Sequence, residues 1–357
     1  MGVASKSTSL IERLGGKARI AAIFALVLAP GLSGCILGTE RPDLNLEVPD
    51  HYREAASRAP DAAVPALDWW RGFRSGELIA LMEAAQTSNL DIAVAIAQIV
   101  QADAQAGIAG APLLPSVTGT ATAEQERTPG SSIGGNVSPP NTFSQYNLGL
   151  TASYMLDVWG KNQATFHAAE ENAVVSRYNR DVVTLTTEVT VANTYFQVLA
   201  AQDELRVARR NLAAAERILG LIKKQQTGGT ASDLDVSQQA ALVSTERAAI
   251  PPLEVTLRQN IYALALLVAR APENINVRGG TLTQIAVPRV TPGLPSQLLY
   301  QRPDIRQAEA QLASSNFSVE AARAAFFPQI QLTATTGVQS AALASLFGPG
   351  AWYYTLL

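Results

Sequence analysis

The longest regular pattern in the chain lies in its middle third. From Asn162 to Gln226 there is no proline, and Gly220 is the only glycine. Apolar residues recur at Leu185, Val189, Ala192, Phe196 and Leu199 at spacings of four and three. After a slip of phase they continue at Leu205, Ala208, Leu212, Ala215, Leu219 and Ile222. These are heptads, which predict a coiled-coil helix. At about 1.5 Å per residue, about 65 residues give a helix near 100 Å long. Residues 182–194 are rich in Val and Thr and locally favour strand, but the sustained heptad outweighs them. The pattern stops at Thr227-Gly228-Gly229-Thr230, where glycine can take positive φ. Ser232 and Asp235 then have the spacing of a capping box. Asp235 stands where Glu or Gln is usual, which leaves the reciprocal bond open. A second helix is predicted to return from Leu234 to about Arg270, kinked at Pro251-Pro252. Pro272 to Pro295 reads as irregular, and a new helix is predicted from Pro303, a first-turn proline.

Two other stretches change period from helical to two. Ile330, Leu332 and Ala334 alternate with Gln329, Gln331, Thr333 and Thr335. Val117, Gly119, Ala121 and Ala123 alternate with Ser116, Thr118, Thr120 and Thr122. The first of these strands in chain order runs into a polar stretch, Glu124 to Phe143, carrying Pro129-Gly130, Gly134-Gly135 and Pro139-Pro140. Beyond it Leu148, Leu150, Ala152, Tyr154 and Leu156 alternate with Asn147, Gly149, Thr151 and Ser153. The result is a hairpin with one apolar and one polar face. A membrane barrel strand, apolar to lipid and polar to lumen, has this pattern, and so does a half-buried soluble hairpin.

The two period changes belong to a repeat. Displaced by 213 positions, residues 91–122 fall on 304–335 without a gap, with 11 identities in 32 positions. Asp91-Ile92 meets Asp304-Ile305, Pro115 meets Pro328, and Thr120-Ala121-Thr122 meets Thr333-Ala334-Thr335. Alanine matches carry little weight, but the proline and the flanking order mark a duplication. In each copy the proline ends the helix and pre-sets an extended backbone.

Composition narrows the class. Hydrophobic residues are 47% and charged residues 16% of 357, which suits a packed helical body or a membrane β-protein better than a disordered chain. Lys6, Arg13, Lys17 and Arg19 precede the uncharged run Ile20 to Leu28. Ala29, Pro30, Gly31 and Leu32-Ser33-Gly34-Cys35 follow. That order is a signal peptide, and the run is too short to span a bilayer comfortably. The whole chain carries −3 and the basic segment is positive, so the remainder is acidic and a poor match for nucleic acid. Cys35 is the only cysteine, and the two histidines, His51 and His167, lack suggestive neighbours. No metal site or catalytic triad is expected. Asp157, Asp233, Asp235 and Asp304 are the carboxylates a hydrolase reading would nominate, and each also reads as a helix-start or solvated residue. Gly228-Gly229-Thr230 lacks the lysine of a phosphate loop. Trp69-Trp70 and Trp352-Tyr353-Tyr354 read either as interfacial aromatics or as ordinary packing.

Five segments resemble known signatures. Leu32-Ser-Gly-Cys35 resembles the bacterial lipobox, in which the cysteine is diacylated. Gly293-Leu-Pro-Ser-Gln-Leu-Leu-Tyr-Gln-Arg-Pro-Asp-Ile-Arg306, Ala322-Arg-Ala-Ala-Phe-Phe-Pro-Gln-Ile330, Leu156-Asp-Val-Trp-Gly-Lys161 and Gly229-Thr-Ala-Ser-Asp-Leu-Asp-Val236 resemble segments of TolC-like outer-membrane efflux channels, specifically the NodT-type lipoprotein branch. The resemblance implies a mainly α fold with membrane β-strands: a long periplasmic α-helical coiled-coil hairpin, and β-hairpins contributed to a shared trimeric transmembrane β-barrel. It implies no enzyme activity and no cofactor beyond the lipid on Cys35. The implied partners are two further copies, a periplasmic adaptor, an inner-membrane pump and outer-membrane lipid. The implied function is a passive duct of a tripartite efflux pump. The alternatives are a type I secretion component and a periplasmic scaffold without a pore.

The expected division is a signal peptide at 1–34, an anchored segment with helices at 35–111, a first β-hairpin at 112–158, a helical hairpin at 159–271, an irregular equatorial segment at 272–301, a helix at 302–326 and a second β-hairpin at 327–357. Against the family, the chain is expected to stop inside its fourth strand, without a second helical hairpin. The periplasmic turn, with Gly229, Thr230, Ala231, Ser232, Leu234 and Asp235, is expected to meet the adaptor. Cys35 is expected to be residue one of the mature chain. Mass spectrometry of the mature N-terminus should find a diacylglyceryl Cys35, and an unmodified cysteine or a cut elsewhere would refute this.

Overall fold

The computed structural model describes residues 68–129, 131–133, 136–138, 140–288 and 295–357. The signal-type segment, Cys35, His51 and Gly293-Leu294 lie outside the described residues. In chain order the elements are α1 (Gly76–Ser88), α2 (Leu90–Gly110), β1 (Ser116–Thr128), β2 (Ser131–Ile133), β3 (Asn136–Ser138), β4 (Asn141–Leu156), α3 (Lys161–Thr227), α4 (Asp233–Leu267), α5 (Pro295–Gln301), α6 (Pro303–Ala324), β5 (Ile330–Ser340) and β6 (Trp352–Leu356). They form two compact units: Pro112–Thr165 with Asn316–Leu357, and residues 68–111 with Phe166–Ser315.

The first unit is a four-stranded antiparallel sheet in the order β1-β4-β5-β6, and β2 pairs with β3 in a small ladder of its own. The helix-break-strand order of α2 into β1 is repeated by α6 into β5, as the duplication requires. Trp159 and Phe327, at the two strand–helix junctions, stack with centroids 4.5 Å apart and planes at 19°. The indole N–H of Trp159 donates to the Pro328 carbonyl at 2.9 Å. Asp157 starts α3 by accepting the amides of Asn162 and Gln163 at 3.0 and 2.8 Å, and Gly160 supplies the positive φ of that turn. Asp157, Trp159 and Gly160 of the segment Leu156 to Lys161, and Phe327 of the segment Ala322 to Ile330, thereby receive local structural roles.

The second unit is helical. Ser75 caps α1 through its hydroxyl, which accepts the Leu78 amide. Asn89 caps α2 by accepting the amides of Asp91 and Ile92, and its side-chain amide donates to the Leu267 carbonyl at 2.8 Å. Asn89 is therefore buried without loss, because its polar atoms are paired. Around it lies the core: Leu78 and Met82 of α1, Val191, Tyr195, Val198 and Leu199 of α3, and Leu264 and Val268 at the end of α4. The Val- and Thr-rich stretch 182–194 is helical throughout, since burial against α1 and α4 outweighs local strand preference.

Burial along α3 differs from the heptad in its upper part. Leu185 is 42% exposed and Val189 is likewise exposed, whereas Val191, Tyr195 and Val198 are buried. Ala192 and Leu199 of the predicted stripe are buried and Phe196 is half-buried, so the buried face keeps the lower half of that stripe and widens to take in 191, 195 and 198, which pack with α1 and the end of α4. Further along the prediction and the burial agree: Leu205 and Ala215 are buried, and Ala208, Leu212, Leu219 and Ile222 are half-buried. Exposed pairs Arg209–Glu254 and Arg247–Glu216 link α3 to α4 at 2.8 and 2.7 Å, each a modest contribution in water. Helix α4 continues through Pro251 and Pro252. The segment expected to be irregular contains two short 3-10 turns, at Pro272–Asn274 and Leu282–Gln284, and the two-turn helix α5. Pro295 at its first position fixes φ where no amide partner is needed.

Leu199, at 1% exposure, tests the core. Leu199→Ala should destabilise the helical unit by about 2–5 kcal/mol. In detergent-dispersed protomers, Leu185→Ala should cost within about 0.5 kcal/mol. The urea midpoint of the helical circular-dichroism signal distinguishes the two.

Candidate functional site: a two-faced sheet and a helical turn

The sheet sorts its side chains by register. Val117, Ala152 and Ala334 lie in one row with Leu356, and Ala121, Leu148, Val338 and Trp352 in another. The alternate rows carry Thr118, Thr151, Thr335 and Thr355, and Thr122, Asn147 and Gln339. Period-two patterns that are separate in sequence thus merge into one apolar and one polar surface. Hydroxyls pair across the polar face, Ser116 with Ser153 at 2.8 Å and Thr151 with Thr335 at 3.3 Å. The apolar face is bare: Leu150 is 55% and Trp352 64% exposed, and Val117, Leu332 and Leu356 are exposed beside them. A contiguous apolar surface of this kind calls for a hydrophobic partner. Trp352 lies against Tyr354 with ring centroids 5.2 Å apart and planes at 34°, and its indole N–H donates to the Thr336 hydroxyl at 3.0 Å.

The turn between α3 and α4 is built by two caps. The Thr230 amide donates to the Gln225 carbonyl and the Gly229 amide to Gln226, both at 2.9 Å. Gly229 sits at φ 73°. This is a Schellman closure, with glycine where a Cβ would be strained. Ser232 then caps α4. Its hydroxyl accepts the Asp235 amide, and its own amide donates to the Asp235 carboxylate at 2.8 Å. The reciprocal bond left open by the sequence is made, and the Ser232 hydroxyl donates a second bond to the same oxygen at 2.7 Å. These bonds hold the Asp235 carboxyl below the usual range. The Gln226 side-chain amide bonds Asp233 across the turn. Leu234, 64% exposed, presents an apolar side chain beside these polar groups.

The four carboxylates of the hydrolase reading are engaged locally. Asp157, Asp233 and Asp235 serve helix ends as described. Asp304 is held by the Arg302 guanidinium at 2.5 Å, and this bond keeps its carboxyl below the usual range. The polar groups that sequence reading passed over lie in the helical core. Glu188 is buried and accepts Gln86 Nε2 at 2.7 Å; burial raises its carboxyl above the usual range, and its bonds to Gln86 and Trp69 oppose that only in part. The Tyr195 hydroxyl lies 3.0 Å from Ser75 Oγ and 3.3 Å from Glu77 Oε2. Glu77 also accepts the Arg278 amide at 2.8 Å. Their signal was helical spacing: 188, 191, 195 and 198 share one face of α3.

Comparison with known proteins gives this architecture a family. Residues 81–270 and 294–356 match the family described as outer membrane efflux protein. The pyoverdine export outer membrane protein OpmQ of Pseudomonas aeruginosa is 38% identical over 315 residues, covering 87% of this chain and 66% of that protein. The toluene efflux pump outer membrane protein TtgI of Pseudomonas putida is 32% identical over 78% of this chain and 59% of its own length. The probable outer membrane lipoprotein SilC of Salmonella typhimurium is 30% identical over 90% and 70%. Among solved structures, the open-state MtrE outer membrane channel of Neisseria gonorrhoeae superposes with a TM-score of 0.74 at 29% identity, over 90% of this chain and 70% of that one. The channel OprN superposes at 0.79 with 24% identity, a likeness of fold, over 90% and 71%. The chain belongs to the outer membrane efflux protein family. It spans just under two thirds of the OpmQ relative.

The capping box gives a pH expectation. Only the ionised Asp235 accepts both Ser232 bonds, so the cap is complete above the ordinary carboxylate range. It is lost as pH falls through the lowered value. Amide-exchange protection factors at residues 232–236 should drop through that acid range. In Asp235→Ala they should be low and pH-independent.

Proposed function

We propose that this chain is a subunit of a passive export duct in the outer membrane. It would receive small-molecule cargo from an inner-membrane pump through a periplasmic adaptor. The observation that carries this reading is the two-faced sheet, in which a mainly apolar and a mainly polar surface continue across both repeats. In hydrocarbon every backbone polar group needs a protein partner, so four strands with open edges must close with other copies. Symmetric self-association does this, and the family resemblance supports three copies. The polar face then lines the lumen and the apolar face meets lipid. Lipidation of Cys35 supplies an anchor on the same membrane. The duct does no chemistry on its cargo, and the relatives named for pyoverdine, toluene and solvent export support organic molecules as that cargo. A scaffold without a pore does not account for the sheet.

The turn from Gly229 to Asp235, with Thr230, Ala231, Ser232 and Leu234, is the adaptor contact in this reading. Its rigid double cap and the exposed Leu234 support that role. Gly229→Val puts a β-branched side chain at positive φ, which reshapes the turn without touching the sheet. In the full-length protein, expressed in cells lacking their own channel, this change should leave heat-resistant oligomer in the outer membrane. It should reduce crosslinking to the adaptor and resistance to a pump substrate. Unchanged export would refute the contact, and absence of oligomer from the unaltered protein would refute the duct.

A further inference from the structure

One row of the polar face departs from the threonines and serines around it. Across the four strands it reads Thr120, Gly149, Gly337, Tyr353. The two glycines face each other at the β4–β5 ladder, where one repeat meets the other. Side chains on a sheet ordinarily stand roughly perpendicular to it, but Tyr353 lies along it. A Cβ on Gly337 would sit 3.2 Å from Tyr353 Cε1, and a Cβ on Gly149 would sit 3.0 Å from the tyrosine hydroxyl. That hydroxyl donates to Asn147 Oδ1 at 3.2 Å, tying the far end of the ring to β4. Gly149 is consequently the single buried position of β4.

We propose that Gly149 and Gly337 form a floor on which Tyr353 is stowed, and that the flat ring both clasps the seam between the repeats and keeps its own bulk out of the bore. The inference rests on the reading of the polar face as the wall of an export duct. Glycine weakens a strand because it offers nothing to pack, and an aromatic laid across it restores that packing. The two glycines are not equivalent. A Cβ on Gly337 would meet the Leu148 carbonyl at 2.5 Å and the Gly149 Cα at 2.8 Å, so any side chain there forces the strands apart. A Cβ on Gly149 meets side-chain atoms only, of Tyr353, Thr120 and Asn147. A larger residue at 149 therefore evicts the ring while leaving the ladder intact. The evicted ring has one direction open to it, away from the sheet and into the lumen.

The test reads the bore from outside the cell. Thr335 lies on the polar face one row beyond the glycines, counted from the β1–β4 connection, and Thr335→Cys places a thiol there. Small and polymer-bearing maleimides are added to intact cells carrying the assembled protein. With Tyr353 native, both reagents should label the thiol. Gly149→Val should cause loss of labelling by the bulky reagent alone, and adding Tyr353→Ala should restore it. Tyr353→Ala by itself should leave bulky labelling unchanged and lower the temperature at which the oligomer dissociates. Bulky labelling of Gly149→Val at the native rate, or a double variant as slow as the single one, would overturn the stowed-ring inference. If Gly149→Val does not assemble, Tyr353→Ala still decides: faster bulky labelling means the ring stood in the bore. A thiol that resists even the small reagent with Tyr353 native means the polar face is not a water-filled wall. The duct reading then fails first, and the two failures are told apart.

Discussion

A backbone in hydrocarbon has no water to bond, so each strand must find its partners within protein. In this chain that requirement concentrates on the ladder between β4 and β5. The ladders of β1 with β4 and of β5 with β6 join strands near in sequence. The β4–β5 ladder joins the two repeats, and it alone makes one sheet from two hairpins. The stacking of Trp159 on Phe327, the bond to the Pro328 carbonyl and the glycine pair beneath Tyr353 all belong to that junction. Each is a local device for holding one register. Register matters because a slip of one residue would carry the threonines of the polar face to the apolar side.

The helical unit solves a different problem with the same sequence economy. Its core is assembled where α3 passes α1 and the end of α4, and the connections there are polar but paired. Asn89 serves one helix with its oxygen and another with its nitrogen. Glu77 accepts the Arg278 amide with one oxygen and lies within bonding distance of Tyr195 with the other. Such groups would be costly if left alone in the interior; as bridges they bring distant segments into one arrangement.

Much of this was legible in the sequence because it depends on periodicity. Strand alternation foretold both faces, the proline repeat foretold the helix-to-strand junctions, and Gly229 with Ser232 and Asp235 foretold the turn. What was not legible depends on neighbours. The heptad names a stripe on α3 but not which flank α1 will cover, so Leu185 and Val189 were assigned to a seam that passes beside them. Glu188 reads as a surface residue until Gln86 is brought to it. Gly149 reads as one more member of the polar alternation and nothing in the sequence singles out Gly337; only the pairing sets them face to face, and only Tyr353 on a third strand gives them a use.

The separation in sequence of paired strands also governs the order in which the protein can be made. The hydroxyl bond from Thr151 to Thr335 spans 184 residues. Closing so long a loop is slow compared with forming a hairpin or a helix. The first hairpin and the α3–α4 pair can therefore form early, while β4 waits with an open edge for a strand that emerges much later. During that interval the half-finished sheet is adhesive, open to pairing with any extended chain that meets it. Until the second repeat arrives, the open edge of β4 is the place where wrong pairing would begin, and its closure by β5 ends that exposure.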